Sequence, residues 1–240
     1  MNNKKYEILM DEENTIECEG HILHRIKALR DFNDVREGDI GGYVENENNL
    51  SHKGSCWIYD EAKAMDNSRM YDNSIICDYS TMYDNSRMYD NSIMHDNSIM
   101  FNNSIMCDDS EMHDDSELHG NSAMYNNSIM FDNSSMHDNS IMYDNSEMYG
   151  DSTLKNKSRL YGKLVSSVDD FIEIQNPQGR LVTCVKKSNK ILYNVGCQDE
   201  IDEETFIYRI EHENYGLEEN PHRKYYYKII EMAKLYFGVK

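Results

Sequence analysis

Cysteine pairs, long apolar runs and basic residues are all in short supply in this 240-residue chain, and each shortage excludes something. The six cysteines (Cys18, Cys56, Cys77, Cys107, Cys184, Cys197) show no CxxC pair and no Cys-His zinc spacing, so free thiols are expected rather than a disulfide framework or a zinc module. No stretch approaches the roughly 18 apolar residues of a membrane span, and the start, MNNKKYEILMDEENTIE, has no apolar run of signal-peptide length. A cytoplasmic location is therefore expected, with no membrane contact. Lys and Arg number 24 against 44 Asp and Glu, a formal net charge of -20, which argues against direct binding of nucleic acid or anionic lipid and favours a basic protein surface as partner. GxSxG, P-loop and GxGxxG motifs in a suitable context are also missing, and no cofactor is expected. The hydrophobic content of 39% is low for one large globular core, so the extra polarity must be arranged regularly.

That regularity fills the middle of the chain. From Met70 to Leu160 every sixth residue is apolar, mostly Met, and Ser stands four places after each apolar residue from Ser74 to Ser158. The phase extends back through Ile58 with Ala62 and Ala64 with Ser68. In a helix, a six-residue step turns about 240° and scatters the methionines over three sides, and Asp, Asn and Ser are poor helix-interior residues. An uninterrupted strand would place Met, Asp and Ser on one face. A corner at Asp-Asn resolves both conflicts, because these residues tolerate unusual φ and close their own turns. Each hexad then forms one side of a triangle, three hexads close a coil, and stacked coils pair at about 4.8 Å with Met and Ser inside.

This pattern resembles the hexapeptide-repeat, left-handed parallel β-helix family, whose units carry an aliphatic residue, a turn pair and a small residue four places on. The resemblance implies a mainly β fold, with 18 hexads between Ile58 and Val165 giving six coils. Met stands where that family favours Ile, Val or Leu. The opening segment, through KALRDF (27–32), GDIGGYV (38–44) and NNLSHKGSCWIYDEAKA (48–64), is similar to the N-terminal part of hexapeptide-repeat proteins of phages and prophages, some labelled only as transferases or polymer-forming proteins. Residues 1–57 are read as an N-terminal β cap of hairpin strands, 58–165 as the β-helix and 166–240 as a small α+β domain.

In that last domain DFIEIQN, RLVTCVKK and KILYNVGC read as three strands joined by turns at PQG and SNK. A helix is expected from about Asp202 to Asn214, burying Phe206, Ile207 and Ile210. A second has Asn220 as N-cap, Pro221 in its first turn and Gly238 as its stop, with Tyr226, Ile229, Ile230, Ala233 and Phe237 inward. This domain could mediate homo-oligomers.

If a coil holds three hexads, residues 18 apart share a column. One column is Tyr71, Tyr89, Cys107, Tyr125, Tyr143, Tyr161; a second is Cys77, His95, His113, Phe131, Tyr149; a third is Tyr83, Phe101, His119, His137, Lys155. Ring packing between coils accounts for them, and a binding surface is the alternative. The neighbouring pairs His95 with His113 and His119 with His137 lack converging carboxylate or cysteine ligands in this reading, so no metal is expected there. The corner columns are acidic: Asp72, Asp90, Asp108, Asn126 and Asp144 in one; Asp78, Asp96, Asp114 and Asp132 in another; Asp84 and Asp138 in the third, which Asn102 and Gly120 interrupt. Asp109, Glu111, Asp115 and Glu117 thicken the charge, and no Lys or Arg occurs between Arg87 and Lys155.

Turn formation alone explains where the aspartates sit but not why counter-charges are missing. Carboxylates at about 4.8 Å along a rigid edge roughly imitate the charge spacing of a DNA strand, about 3.4 Å. Ca²⁺ binding by the columns is a third reading. Partner contact is therefore assigned to Asp72, Asp78, Asp90, Asp96, Asp108, Asp109, Glu111, Asp114, Asp115, Glu117, Asp132 and Asp144, with Tyr71, Tyr89, Tyr125 and Tyr143 as an aromatic column. The hexapeptide resemblance also implies acyltransferase activity as an alternative, but the unbroken repeat leaves no loop to build a pocket, and only His21, His24 and His52 stand as candidate bases. The expected function is a non-catalytic acidic interaction protein. With the phage resemblance, this extends to an inhibitor occupying the basic cleft of a host nucleic-acid-binding defence protein, and self-assembly is the structural alternative.

Overall fold

The computed structural model describes residues 4–155, 158–161, 164–165, 171–175, 181–187, 190–195, 198–212 and 223–239. Its centre is a three-sided parallel β-solenoid. Most sides are a strand of two residues, such as Ile93–Met94, Ile99–Met100 and Ile105–Met106, and through the middle of the solenoid each strand pairs in parallel with the strand 18 residues before and after it. The strands thus sort into three sheets, one per side of the triangle.

The hexad can be derived from its backbone donors. We number its positions from the apolar residue, so that Met94, His95, Asp96, Asn97, Ser98 and Ile99 are first to sixth. The second, fourth and sixth N–H groups donate to the next coil: His95 to Met112 O at 2.8 Å, Asn97 to Asp114 O at 3.0 Å and Ile99 to Ser116 O at 2.9 Å. The fifth closes the corner locally, Ser98 N–H donating to His95 O at 3.2 Å. The third, at the left-handed corner residue, finds its acceptor in a side chain: Asp96 N–H donates to Oδ2 of Asp78, one coil earlier, at 3.2 Å. The same bond links Asp114 to Asp96, Asp132 to Asp114 and Asn126 to Asp108, at 3.3, 3.2 and 3.1 Å. The corner aspartates have φ between 51° and 65°, the region where L-residues other than Asn and Asp are disfavoured. Fourth-position asparagines form amide ladders, Asn73 Nδ2 to Asn91 Oδ1 at 3.1 Å and Asn103 to Asn121 at 3.2 Å.

Inside, the first-position column from Met70 to Met148 and the serines from Ser68 to Ser158 are all fully buried. Serine is small enough for the corner, and Ser74, Ser80 and Ser92 return their hydroxyl to the carbonyl three residues back at 2.8, 2.6 and 2.8 Å. Methionine forms a continuous sulphur-rich core whose pliable side chains conform to the column. At the far end the rule of 18 breaks. Glu147 and Met148 pair with Leu164 and Val165, a step of 17, because only two residues separate Tyr161 from Leu164 where other corners have three. The repeat therefore does not run to Val165 without a shift, as the sequence suggested.

At the near end, Tyr6–Ile8, Thr15–Cys18 and Ile40–Val44 all pair antiparallel with His21–Ala28, forming the hairpin cap expected from the sequence. Parallel stacking begins before Ile58: Tyr43 and Val44 pair with Lys63 and Ala64, and Leu50 bridges Met70, steps of 20. Gly41 and Gly42 allow this approach, because a Cβ on Gly41 would lie 2.6 Å from Ile58 O and one on Gly42 2.5 Å from Ala62 O. Tyr6, Val35 and Trp57 complete the core over the first coil.

The far end carries a four-stranded antiparallel meander of Phe171–Gln175, Leu181–Lys187, Lys190–Val195 and Gln198–Asp202, followed by α1 (Glu203–His212) and α2 (Arg223–Phe237). The fourth strand, QDEID, was not expected because its acidic residues lack strand alternation. Asp202 caps α1 by accepting Thr205 N–H at 2.8 Å. The inward residues are as expected, with Phe206 and Ile210 buried and Ile207 partly so, and all five of the α2 set buried. Gly238 at φ 63° ends α2 with Val239 N–H returning to Lys234 O at 3.0 Å, while Asn220 and Pro221 lie outside the described residues. Val185 joins the solenoid core and Asn194 Nδ2 donates to Arg159 O at 3.1 Å, so the sheet closes the last coil.

Candidate functional site

The three corners are not equivalent. Corner A carries Asp72, Asp90, Asp108, Asn126 and Asp144, and corner B carries Asp60, Asp78, Asp96, Asp114 and Asp132. Between them runs the sheet containing Ile75–Ile76, Ile93–Met94, Glu111–Met112, Ile129–Met130 and Glu147–Met148. One face is therefore bordered on both edges by aspartate columns, with Glu111 and Glu147 in its middle. Asp109 sits beside corner A, accepting Asn91 Nδ2 at 2.9 Å, and Asp115 beside corner B, accepting Asn97 Nδ2 at 3.1 Å. Most of these carboxylates are exposed, while Asp78, Asp108, Glu111 and Glu147 are half-buried. Eleven of the twelve acidic residues singled out from the sequence belong to this face or its two edges; Glu117 lies beyond corner B, in the strand pairing with Ile99 and Ser135.

The aromatic column falls elsewhere. Tyr71, Tyr89, Tyr125 and Tyr143 immediately precede corner A and lie on the neighbouring side, whose strands include Arg69–Met70 and Arg87–Met88. Their half-buried rings stack in pairs, Tyr71 on Tyr89 at 5.1 Å and Tyr125 on Tyr143 at 5.2 Å, with Cys107 between the pairs. Tyr83, Phe101, His119 and His137 form an unbroken ladder on the third side at 5.0, 4.6 and 5.1 Å. Stacking between coils thus accounts for the rings.

On the acidic face the second-position column is Tyr59, Cys77, His95, His113, Phe131 and Tyr149. His95, His113 and Phe131 stack at 4.8 and 4.9 Å, and His113 Nε2 lies 2.9 Å from Glu111 Oε2. From the sequence no metal is expected here, for want of a converging cysteine or carboxylate. The coordinates differ: Cys77 Sγ lies 3.0 Å from His95 Nδ1, and with the Asp78 carboxylate the three ligand atoms fall within 4.8 Å of one another. The 18-residue register that defines the column brings Cys77 beside His95, and Asp78 follows in the chain. Burial, with Asp78, Asp60 and Asp96 adding to it, pushes the Cys77 thiol up to about 12.

The candidate bases sit in the cap. His21 Nδ1 is 3.2 Å from Glu45 Oε1 and its Nε2 3.8 Å from Asp66 Oδ1; its hydrogen bond to Glu45 raises its pKa above the usual histidine value. His24 Nδ1 is 2.8 Å from Thr15 Oγ1. His52 stacks on Tyr6 at 4.4 Å, accepts Lys5 N–H at 3.3 Å, and is held below the usual value by burial. The parallel ladder from Lys63 to Thr153 runs without a loop insertion. Cys18, Cys56, Cys77 and Cys107 are free thiols, and among the described residues no helix is long and apolar enough to cross a membrane.

Fold and surface together define a parallel β-solenoid built on a six-residue repeat and bearing one strongly acidic face. No family model matches the chain. It is similar to an uncharacterized acetyltransferase, YdcK, of Escherichia coli strain K12, with 48% identity over 40 residues, which make up 17% of this chain and 12% of that protein. The match fits a repeat fold and leans toward enzymes by the relative's name alone.

Proposed function

We propose that the chain is a non-catalytic binding rod that presents its acidic face to a basic protein surface. The observation that carries this reading is a substitution within the repeat itself. Asn102 and Asn126 occupy the corner position at φ 59° and 58°, and Asn102 Oδ1 accepts Gly120 N–H at 3.3 Å as the aspartates do for their neighbours. An amide therefore meets both demands of the corner, backbone conformation and acceptor. The charge on Asp72, Asp90, Asp108 and Asp144 at corner A, and on Asp78, Asp96, Asp114 and Asp132 at corner B, exceeds what the fold requires. With no Lys or Arg from 88 to 154, that charge stays uncompensated in the chain, and a field of one sign steers a complementary surface.

Rows of carboxylates on a stiff support suit a groove built for a nucleic-acid backbone, so the partner's chemistry is that of a nucleic-acid-binding protein. The extension to a phage-encoded inhibitor of a host defence protein rests on the cap's resemblance alone. The test immobilises the full chain, captures partners from lysate at increasing salt, and challenges them with duplex DNA. A captured protein should be released by salt and by DNA; retention unchanged by both would end the proposal.

Two other readings have a specific observation each. The cluster of His21 with Glu45 and Asp66, beside the named relative, favours an acyl-transfer role, which an absence of thermal shift with acetyl donors would remove. Exposed Tyr208, Met232, Leu235 and Tyr236 on the terminal helices favour self-association, which size-exclusion chromatography with light scattering reads directly.

A further inference from the structure

We propose that Cys77, His95 and Asp78 form a binding site for a thiophilic divalent cation of the zinc type on the acidic face. Three ligand kinds converge there, a thiol, an imidazole and a carboxylate, which together select zinc and its neighbours over calcium or magnesium. The geometry needs little adjustment. Zn–S of about 2.3 Å and Zn–N of about 2.0 Å in a tetrahedron separate the two atoms by about 3.5 Å. Sγ and Nδ1 now stand 3.0 Å apart, so a shift of about half an ångström admits the ion.

The supports are rigid. Cys77 and Asp78 are consecutive at a corner, and His95 is one coil away in register, its ring held parallel to that of His113 at 4.8 Å. Asp78 has one oxygen, Oδ2, engaged by Asp96 N–H at 3.2 Å, which orients the carboxylate. Tyr59, which precedes Cys77 in the column, is tied to Asp34 through its hydroxyl at 2.7 Å. Cysteine is much smaller than the rings that fill neighbouring positions, and water would complete the coordination. On binding, the Cys77 S–H bond breaks heterolytically, its proton goes to the solvent, and the electron pair on sulphur forms the bond to the metal. No oxidation state changes. The surrounding carboxylates that oppose a bare thiolate favour the dication.

The repeat supplies an internal control. Cys107 holds the equivalent position on the adjacent side, between Tyr89 and Tyr125, without an imidazole in its column. Cobalt(II) added to the chelator-treated full chain should give a near-ultraviolet thiolate-to-metal charge-transfer band and the visible bands of four-coordinate cobalt, with one ion per chain by native mass spectrometry. Zinc should displace it and raise the melting temperature. Cys77→Ser should abolish the band, His95→Gln should weaken binding at least tenfold, and Cys107→Ser should change nothing, with circular dichroism confirming that each variant is folded. Should Cys77→Ser fail to fold, His95→Gln is decisive by itself. A native chain without the band, a band that survives Cys77→Ser, or full-strength binding in His95→Gln would overturn the site.

Discussion

Replacing Asp96, Asp114 and Asp132 together by Asn separates what the corner needs from what a partner needs. All three stand at φ between 55° and 59°, and each Oδ2 accepts a backbone N–H from the following coil, at 3.3 Å from Asp114, 3.2 Å from Asp132 and 2.9 Å from Gly150. Asn retains both the tolerance for that φ and the acceptor, so each change should alter stability by no more than about 0.5 kcal/mol. Ala retains neither. It incurs about 1–2 kcal/mol for the left-handed conformation and about 0.5–1 kcal/mol for the lost, exposed hydrogen bond. The triple Ala variant should therefore lose about 5 kcal/mol or more, while the triple Asn variant unfolds at nearly the native urea concentration. Binding should divide the other way. Exposed ion pairs contribute about 0.2–1 kcal/mol each, so the Asn variant should bind a captured basic partner about 3- to 150-fold more weakly at low salt and with a shallower salt dependence. Urea unfolding followed by circular dichroism and calorimetric titration measure the two effects. An Asn variant as unstable as the Ala variant, or one binding with undiminished affinity, would refute the separation of roles.

Met106, fully buried in mid-column, should tolerate Leu at a cost under about 1.5 kcal/mol but lose about 2–5 kcal/mol on truncation to Ala, read as a shift in urea midpoint. Gly42→Ala would drive a Cβ to 2.5 Å from Ala62 O, and the displaced backbone should lower stability by about 1–3 kcal/mol, with protection of the cap amides from hydrogen exchange lost first. His52 gives a pH signature. Burial depresses its pKa, so the unfolded chain takes up a proton below 6.5 that the folded chain resists, and stability should fall as pH drops through that value. Its buried Nε2 finds no acceptor for a proton among the described residues. His21, raised by Glu45, contributes with the opposite sign, its stabilisation present below 6.5 and lost as pH rises through its folded value. His52→Gln should flatten the acid side of a urea-midpoint profile; an unchanged slope would assign it to other groups.

The solenoid was legible because its determinants are local and repeated. Met in the first position, Asp at the left-handed corner and Ser in the bend each reflect a requirement of one hexad, and the recurrence fixes the register between coils. What the sequence hid involves contacts made once. The carboxylate of Asp78 serves as acceptor for Asp96 N–H only after stacking. The first coil steps by 20 residues because residues 40–57 follow no hexad, and the clue was Gly41-Gly42, whose missing side chains admit the backbone of the following turn. The shortened last coil was visible as a two-residue gap between Tyr161 and Leu164, though Leu160 alone kept the six-residue count intact. In the sequence the candidate surface shows as edges rather than as a face, since columns 18 apart give neighbours along the axis while Glu111 and Glu147 stand outside the corner columns. The same map already held Cys77 next to His95, and the missed ligand was the residue that follows Cys77 in the chain.

Every storey of this tower presents the same sockets to the one above and the one below. Excising or duplicating a stretch of 18 residues between equivalent corners would leave matched joints, so height can change in whole steps while the cross-section and both end closures persist. A gene encoding it can lengthen or shorten its charged edge by unequal recombination among near-identical segments, fitting the reach of the rod to the extent of whatever it lies against.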